Sequence, residues 1–280
     1  MHDIIKTDFH VHPNYSFDAT HEPIDDYCRR ALELGLSQIC FTPHYTSVPL
    51  VIEKYGFVRK NGQKFPVTGD WLSDYIEDVR SADLKFSKKG LRVFSGLEID
   101  YETEIHDALK KRLTMEHKLD YMLGSVHLVH DGLDIMVPGE ANDIFGKMSI
   151  DAFFDIYFAN VEKTIDSGLF KCMAHLEGYR RYGTKVNPEY GDPALIPFDR
   201  FERVFKKMAG RSMVLEINLS LFRNGLNIIN PVESVLKVAK DCGITHITIG
   251  SDAHRVADLA GNIDFAVRAC RNIGFKIFTL

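Results

Sequence analysis

The sequence lacks the features that mark several large classes of protein. No apolar run approaches the roughly 20 residues that a membrane-spanning helix requires. The first residues, MHDIIKTD, have neither the basic nor the apolar region of a signal peptide. The formal net charge of the 280 residues is −5, whereas nonspecific binding of a long nucleic acid requires a basic surface. These absences predict a soluble, cytoplasmic protein that acts on a small substrate, and they leave its oligomeric state open.

Cysteine is also scarce, and nucleotide-binding loops are absent. The five cysteines are scattered without a CxxC pair, which favours core thiols in a reducing compartment. No GxGxxG or GxxxxGK[ST] motif follows an apolar run. The chain shows no linker, low-complexity stretch or repeat, so residues 1–280 are predicted to form a single domain.

What the sequence does contain is an alternation of short apolar runs with longer amphipathic stretches, which is typical of βα units. Strands are predicted at 4–12, 36–44, 91–100, 119–127, 169–175, 212–220 and 245–254, and a last run, 276–280, either closes the sheet or lies outside it. Helices are predicted at 24–34, 71–88, 150–166, 198–208 and 232–241. The pattern favours an α/β fold built as a (β/α) barrel, with a doubly wound open sheet as the alternative.

Two long segments, 46–69 and 128–148, do not fit this alternation. Both are rich in turn-forming residues. Loops of this length are usually functional, so we expect them to form lids or walls around a substrate.

Almost every predicted strand ends in a residue that can bind a metal ion. In a barrel of parallel strands these ends meet on one face, where such folds carry their active sites. The strand-end candidates are His10, His12, His44, Glu98, His127, His175, Asp252 and His254. Imidazole and carboxylate together suit Zn, Mn or Fe, and burying so many without a metal would be costly.

The first strand shows how such ligands are presented. Because side chains alternate along a strand, His10 and His12 are predicted to share one face. Phe9 and Val11 are then expected to face the other way. Among the remaining histidines, His130 is a further candidate, and ordinary surface or packing roles are predicted for His2, His21, His106, His117 and His246.

The ordered motifs DFHVHPNYSFD, TPH, GLEID, GSVH, the isolated His175 and GSDAH resemble those of the PHP family, named for polymerase and histidinol phosphatase. The resemblance implies a distorted (β/α)7 TIM-like barrel with two or three divalent metal ions. It assigns His10, His12, Glu98 and Asp252 to the first ion; Glu98, His127 and His175 to the second; and Asp18, His44 and His254 to the third. Glu98 would bridge two ions, and Asp8 would orient an imidazole.

The segments LEINLSLFRNG and HLEGYRRYG resemble the histidinol-phosphatase branch of that family. This resemblance implies hydrolysis of L-histidinol phosphate in histidine biosynthesis, through a hydroxide that the metals activate. Asp252 or His254 would relay a proton to the leaving group. Arginine suits phosphate because its planar fork donates parallel hydrogen bonds; the candidates are Arg180, Arg181, Arg223 and Arg255. Glu102, Glu104 and Glu177 are candidates for binding the cationic groups of the substrate.

Two other functions fit the same motifs. A phosphodiesterase or nuclease acting on nucleotide esters or short oligonucleotides would need aromatic stacking, for which Tyr45, Trp71 and Tyr101 are candidates. A non-catalytic metal-binding domain is the other alternative, although such domains usually lose ligands.

Overall fold

Parallel strands curl around a common axis in the computed structural model, which describes residues 6–60 and 62–280. The main sheet has the order β1-β2-β6-β7-β8-β9-β10-β11, and the short β3 also pairs with β6. The strands are β1 Thr7–Val11, β2 Gln38–Phe41, β3 His44–Tyr45, β4 Phe57–Lys60, β5 Gln63–Pro66, β6 Arg92–Asp100, β7 Tyr121–Ser125, β8 Cys172–Met173, β9 Val214–Asn218, β10 His246–Gly250 and β11 Lys276–Ile277. The first two residues of the predicted strand 4–12 lie outside the described residues.

Backbone hydrogen bonds join the two ends of the sheet. The N–H of Asp252 donates to the carbonyl of His10 at 2.8 Å, and the N–H of His12 donates to the carbonyl of Ala253 at 2.9 Å. The first residues of β10 pair with β11, so the run 276–280 lies beside the amino-terminal end of β10, away from the hydrogen bonds to β1. The structure therefore confirms the predicted barrel rather than the alternative of an open sheet.

Helices surround the sheet. They are α1 Ile24–Glu33, α2 Ile52–Tyr55, α3 Leu72–Phe86, α4 His106–Lys110, α5 Pro138–Lys147, α6 Ile150–Asp166, α7 Arg180–Val186, α8 Phe198–Gly210, α9 Ser220–Arg223, α10 Glu233–Asp241 and α11 Ile263–Ile273. The five predicted helices are present as α1, α3, α6, α8 and α10, with ends shifted by at most two residues. Within residues 6–60 and 62–280, none of the helices is long and apolar enough to cross a membrane.

The interior of the barrel below the strand ends is filled by a small apolar cluster. Its side chains come from β1, β2, β6, β7, β8 and β9: Phe9, Cys40, Phe94, Tyr121, Leu123, Cys172 and Val214. Ala174, which follows β8, and the partly buried Phe278, which follows β11, complete the cluster. The ring of Phe9 lies 5.3 Å from that of Tyr121 and 6.3 Å from that of Phe278. Phe278, just after β11, thus helps to seal this end of the barrel.

The prediction that Phe9 faces away from His10 is wrong, because β1 contains a bulge. Asp8 pairs with Ile39 but Val11 pairs with Phe41, so β1 has one residue more than β2 over this stretch. An extra residue interrupts the alternation of side chains. Phe9 and His10 can therefore both face the barrel interior.

The two long segments form one continuous wall. Segment 46–69 contains α2 and the β4–β5 hairpin, and segment 128–148 contains α5. The Tyr55 hydroxyl donates to the Glu140 carboxylate at 2.9 Å, and Lys54 forms an ion pair with the same carboxylate. These contacts join the two segments above the strand ends.

The apolar cluster gives a test of the fold. We expect Phe9→Ala to lower the free energy of unfolding by about 3–5 kcal/mol, because it leaves a cavity among rings that cannot close over it. Urea denaturation followed by circular dichroism measures this change.

The matched control is Leu84→Ala on α3, where the leucine is 70% exposed. Its effect should stay within about 0.5 kcal/mol. Equal effects of the two substitutions would show that the ring of Phe9 is not packed as described.

Candidate metal centre

The structure brings together all nine predicted ligand side chains. Seven of them line a cavity of about 430 Å³ at the carboxyl ends of the strands: Asp18, His44, Glu98, His127, His175, Asp252 and His254. The other two, His10 and His12, are fully buried and contact Glu98 and Asp252 from below. Closure of the barrel produces this arrangement, because it places β1 next to the residues that follow β10.

The first donor set fits one tetrahedral ion. Nε2 of His10 lies 3.1 Å from Nε2 of His12, and both lie 3.3–3.4 Å from Oε2 of Glu98. Oδ1 of Asp252 is 3.3 Å from His12 and 3.8 Å from His10. Donors about 2.0–2.1 Å from a tetrahedral zinc ion are separated by roughly 3.3 Å, so these spacings match that geometry.

The second donor set uses the other oxygen of the same glutamate. Oε1 of Glu98 lies 2.7 Å from Nε2 of His175 and 3.2 Å from Nε2 of His127, and these two nitrogens are 3.3 Å apart. Because Oε1 faces this set and Oε2 faces the first, the carboxylate has the geometry of a bridge between two ions.

The third donor set is the most exposed. Oδ2 of Asp18 is 3.4 Å from Nε2 of His44 and 3.1 Å from Nε2 of His254. The Asp18 side chain is 39% exposed, compared with 1% for Glu98. This set therefore lies on the solvent side of the cavity.

Hydrogen bonds at Nδ1 prepare several imidazoles to act as ligands. In each case an acceptor group lies near Nδ1 and leaves Nε2 facing the other donors, which is how metal-binding histidines are commonly oriented. The pairs are His10 with Glu216 at 2.7 Å, His12 with the Ser16 hydroxyl at 2.9 Å, His127 with Asp100 at 3.1 Å, and His254 with the carbonyl of Asp252 at 3.0 Å.

The charges of the site depend on one another. Burial alone would raise the pKa of Glu98, but His10, His127 and His44 hold that pKa well below its usual range. Burial, together with His254 and His44, holds the pKa of His12 well below its usual range. A neutral His12 beside an ionised Glu98 is the combination that a divalent cation requires of its ligands.

Two donor residues have strained backbones. His175 and Asp252 have backbone φ angles of 22° and 54°, which residues other than glycine rarely adopt. Their N–H groups are held by the carboxylate of Glu216 at 2.7 Å and by the carbonyl of His10 at 2.8 Å. Such strain is found where a structure must aim a functional side chain.

Glu216 was not predicted as a site residue, yet it holds two of them. One carboxylate oxygen accepts from His10 Nδ1 and the other accepts from the N–H of His175, each at 2.7 Å. A Cβ on Gly250 would lie 2.1 Å from Oε1 of Glu216 and 2.5 Å from Cβ of His10, so only glycine fits there. The signal in the sequence was a carboxylate inside the apolar strand VLEIN.

Asp8 has a different role from the one predicted. Its carboxylate accepts from the N–H groups of Ser251 at 2.9 Å and Ala260 at 3.1 Å, and from the N–H of His10 at 3.4 Å. Burial raises the pKa of Asp8 to about 6. Asp8 therefore fixes the backbone that leads into Asp252 and does not orient an imidazole ring.

The prediction that Arg180 and Glu177 bind substrate is not supported. Two nitrogens of the Arg180 guanidinium lie 2.6–2.7 Å from Oε1 of Glu177, and a third donates to the carbonyl of Tyr190. Glu177 also accepts from the N–H of Val232 at 2.6 Å. Both side chains are buried, so they act as a structural ion pair away from the cavity.

The other three arginines line the cavity in different ways. Arg223 donates to the carbonyls of Ser251 and Asp252 at 2.6 Å each, and so supports the strand end that carries Asp252. Arg255 pairs with Asp258 at 3.0 Å. Arg181 has no ion pair among the described residues, and its Nε is buried without a hydrogen-bond partner.

Several other predicted contacts lie outside the cavity. Glu102 pairs with Lys163 at 2.7 Å, and Glu104 is exposed. The proposed stacking residues Tyr45, Trp71 and Tyr101 are buried in the core. His130 is exposed beside Asp131. The ordinary histidines His21, His106, His117 and His246 do not line the cavity, and His2 lies outside the described residues.

Known proteins are similar to this chain in sequence and in fold. A relative named "Probable histidinol-phosphatase" from Deinococcus radiodurans is 27% identical over 97% of this chain and 95% of its own length. Another with that name, from Clostridium acetobutylicum, is 26% identical over 76% of this chain and 79% of its own length. The crystal structure of histidinol phosphate phosphatase from Lactococcus lactis, complexed with Zn, L-histidinol and phosphate, matches with a TM-score of 0.75 at 20% identity, covering 98% of this chain and 95% of that one.

The family model of the PHP domain matches residues 8–220, which span most of the donor residues described above. That match covers well over half of the chain. The protein therefore belongs to the PHP domain family.

Proposed function

We propose that the protein is a metal-dependent phosphomonoesterase that hydrolyses L-histidinol phosphate to L-histidinol and phosphate, a step of histidine biosynthesis. The observation that carries the proposal is Glu98, whose two oxygens belong to different donor sets at the base of the cavity. The same cavity contains Arg181, an arginine without an ion pair in the described part of the chain. Paired metal sites beside a free guanidinium suit a phosphate ester.

The donors would hold two or three divalent ions, with Zn, Mn and Fe as candidates. The first two sets are buried and consist of imidazole and carboxylate groups, which suit zinc. Zn is also the metal in the structure from Lactococcus lactis. When bound, such ions supply a water-derived nucleophile at neutral pH and neutralise charge on the phosphoryl oxygens.

The protein's own residues would bind the phosphate and move the proton. Arg181 can donate parallel hydrogen bonds to two phosphoryl oxygens, whereas Arg223 and Arg255 already contact other groups and would contribute less. Asp252 and His254 both line the cavity, but burial raises the pKa of Asp252 less than His10 and His12 lower it, so that carboxylate stays ionised. Burial lowers the pKa of His254 but Asp18 raises it overall, so His254 is the group that can deliver a proton to the departing alkoxide.

The substrate is proposed from the relatives and from the size of the site. The relatives from Deinococcus and Clostridium carry the name of histidinol phosphatase, and L-histidinol and phosphate occupy the Lactococcus structure. A cavity of about 430 Å³ suits a small ligand. We further propose a cytoplasmic location, because all five cysteines are free thiols and four of them are buried.

Activity should depend on the bridging carboxylate. We expect chelation to abolish phosphatase activity, and Glu98→Gln to lower kcat by about three orders of magnitude or more while reducing the metal content, because both donor sets lose a charged ligand. Elemental analysis and steady-state kinetics measure the two effects.

The matched control is Glu77→Gln, which changes an exposed glutamate on α3 and should leave kcat and metal content unchanged. Near-normal turnover by a folded Glu98→Gln protein would place the active site elsewhere.

The arginines of the cavity should separate into two roles. Arg181→Ala should lower kcat/KM by about 10- to 100-fold without loss of metal, because it removes charge-assisted hydrogen bonds worth about 1.5–3 kcal/mol. Arg223→Ala should also lower the metal content, because the backbone of Asp252 loses its support.

Arg29→Ala on the exposed part of α1 serves as the control and should behave as wild type. Loss of metal from Arg181→Ala, or full retention of metal and activity by Arg223→Ala, would reverse these assignments.

Preference for the substrate should be measurable in competition with simpler esters. We expect kcat/KM for L-histidinol phosphate to exceed that for glycerol phosphate or a nucleoside monophosphate by about tenfold or more, or ~1.4 kcal/mol of transition-state binding. Equal rates on all three would reject the assignment, and faster cleavage of a dinucleotide would favour a phosphodiesterase.

A further inference from the structure

The charged groups that line the cavity are almost all paired with one another. Its six carboxylates are those of Asp18, Glu98, Asp100, Asp134, Asp252 and Asp258. Five of them lie within ion-pair distance of a histidine or arginine. Among the described residues, Asp134 has no such partner, and it is only partly exposed.

On the cationic side the corresponding group is Arg181. It lines the same cavity and forms no ion pair in the described part of the chain, and it is not within ion-pair distance of Asp134. The cavity therefore keeps one unpaired positive group and one unpaired negative group. A ligand that is only anionic would satisfy the first and leave the second without a partner.

Asp134 is held firmly where it lies. Its N–H donates to the carboxylate of Glu140 at 2.8 Å, and Oδ1 accepts from the N–H of Met136 at 2.6 Å. The backbone of Asp134 also forms an antiparallel bridge with Leu128. Since Oδ1 is occupied, Oδ2 remains available to a ligand.

We infer that Asp134 binds the ammonium group of the substrate and thereby selects phosphomonoesters of amino alcohols. This inference rests on the proposed function, which supplies the phosphomonoester. An aliphatic amine is protonated at pH 7.5, whereas an imidazole with a pKa near 6.5 is mostly neutral, so the ammonium group is the stronger partner for a carboxylate. Glu102, Glu104 and Glu177, which the sequence suggested for this role, are engaged elsewhere or exposed.

The test compares two substrates that differ only in the amine. kcat/KM is measured for wild type and Asp134→Asn with L-histidinol phosphate and with 3-(imidazol-4-yl)propyl phosphate, which lacks the amino group. Asparagine keeps the shape of the side chain and an oxygen for the N–H of Met136. We expect a loss of about 10- to 100-fold with L-histidinol phosphate and a change of less than about threefold with the analogue.

A third substrate separates the amine from the ring. 2-Aminopropyl phosphate has the amine but no imidazole, and Asp134→Asn should lower its kcat/KM by a similar factor. A loss confined to the substrates that carry an imidazole would overturn the inference.

The chain offers a matched control three residues away. Asp131→Asn makes the same change of charge in the same segment, at a side chain that is 80% exposed. Its φ of 54° is one that asparagine tolerates. It should change kcat/KM for none of the three substrates by more than about twofold.

Equal losses with and without the amine, or no loss with L-histidinol phosphate, would overturn the inference while leaving the proposed function intact. Binding of L-histidinol itself, measured by calorimetry, decides the matter independently of catalysis. If wild type cleaves no phosphomonoester, the proposed function fails. In that case weaker binding of L-histidinol by Asp134→Asn than by Asp131→Asn still supports the role of Asp134, and equal binding excludes it.

Discussion

The carboxylate of Glu98 is the group on which the rest of this site depends. Removing an ionised carboxylate from water costs several kcal/mol unless opposite charge and hydrogen bonds replace the lost hydration. Here the replacement comes from His10, His44 and His127, which together keep the pKa of Glu98 well below its usual range. Since these imidazoles come from β1, β3 and the residues just after β7, the ionised state of Glu98 depends on three separate segments of the sheet.

Closure of the barrel is therefore part of the chemistry as well as of the fold. The two backbone hydrogen bonds between β1 and the residues after β10 bring the N-terminal His12 within 3.3 Å of Asp252. The bulge in β1 makes a second contribution, because it allows the same strand to supply Phe9 to the apolar base and His10 to the donor set above it. An ideal strand could fill only one of these positions from adjacent residues.

Features governed by periodicity could be predicted from the sequence, whereas features governed by contacts between distant segments could not. His44, His127 and His175 were predicted to lie together because they end strands, and parallel strands present their carboxyl ends on one face. By contrast, Arg180 and Arg181 are adjacent and chemically identical, yet only Arg181 lines the cavity. Successive side chains on a helix differ by about 100° in direction, so the start of α7 decides their roles, and no local pattern reveals it.

Two of the helices that were not predicted, α5 and α7, have the same kind of explanation. α5 begins with Pro138 and contains two glycines, and Gly183 in α7 packs against the ring of Tyr190, so local propensity for helix is low in both. Their tertiary contacts stabilise them instead. Glu216 was missed because its hydrogen bonds connect β9 with His10 in β1 and with His175 after β8. The role of Asp8 was misassigned because its carboxylate connects β1 with the turn after β10. Only the closed barrel brings these segments together.

The candidate metal donors and the wall of the cavity come from different parts of the molecule. Most of the donors lie at strand ends and would treat any phosphate ester alike, whereas the two long segments supply part of the wall, including Thr46, Tyr55 and Asp134. The carboxylate of Glu140 accepts from the hydroxyl of Tyr55 in one segment and from the N–H of Asp134 in the other. Because one partly buried carboxylate accepts hydrogen bonds from both segments, a displacement of either segment changes the position of the other. The substrate wall can therefore vary as a unit while the barrel and its donor sets stay unchanged.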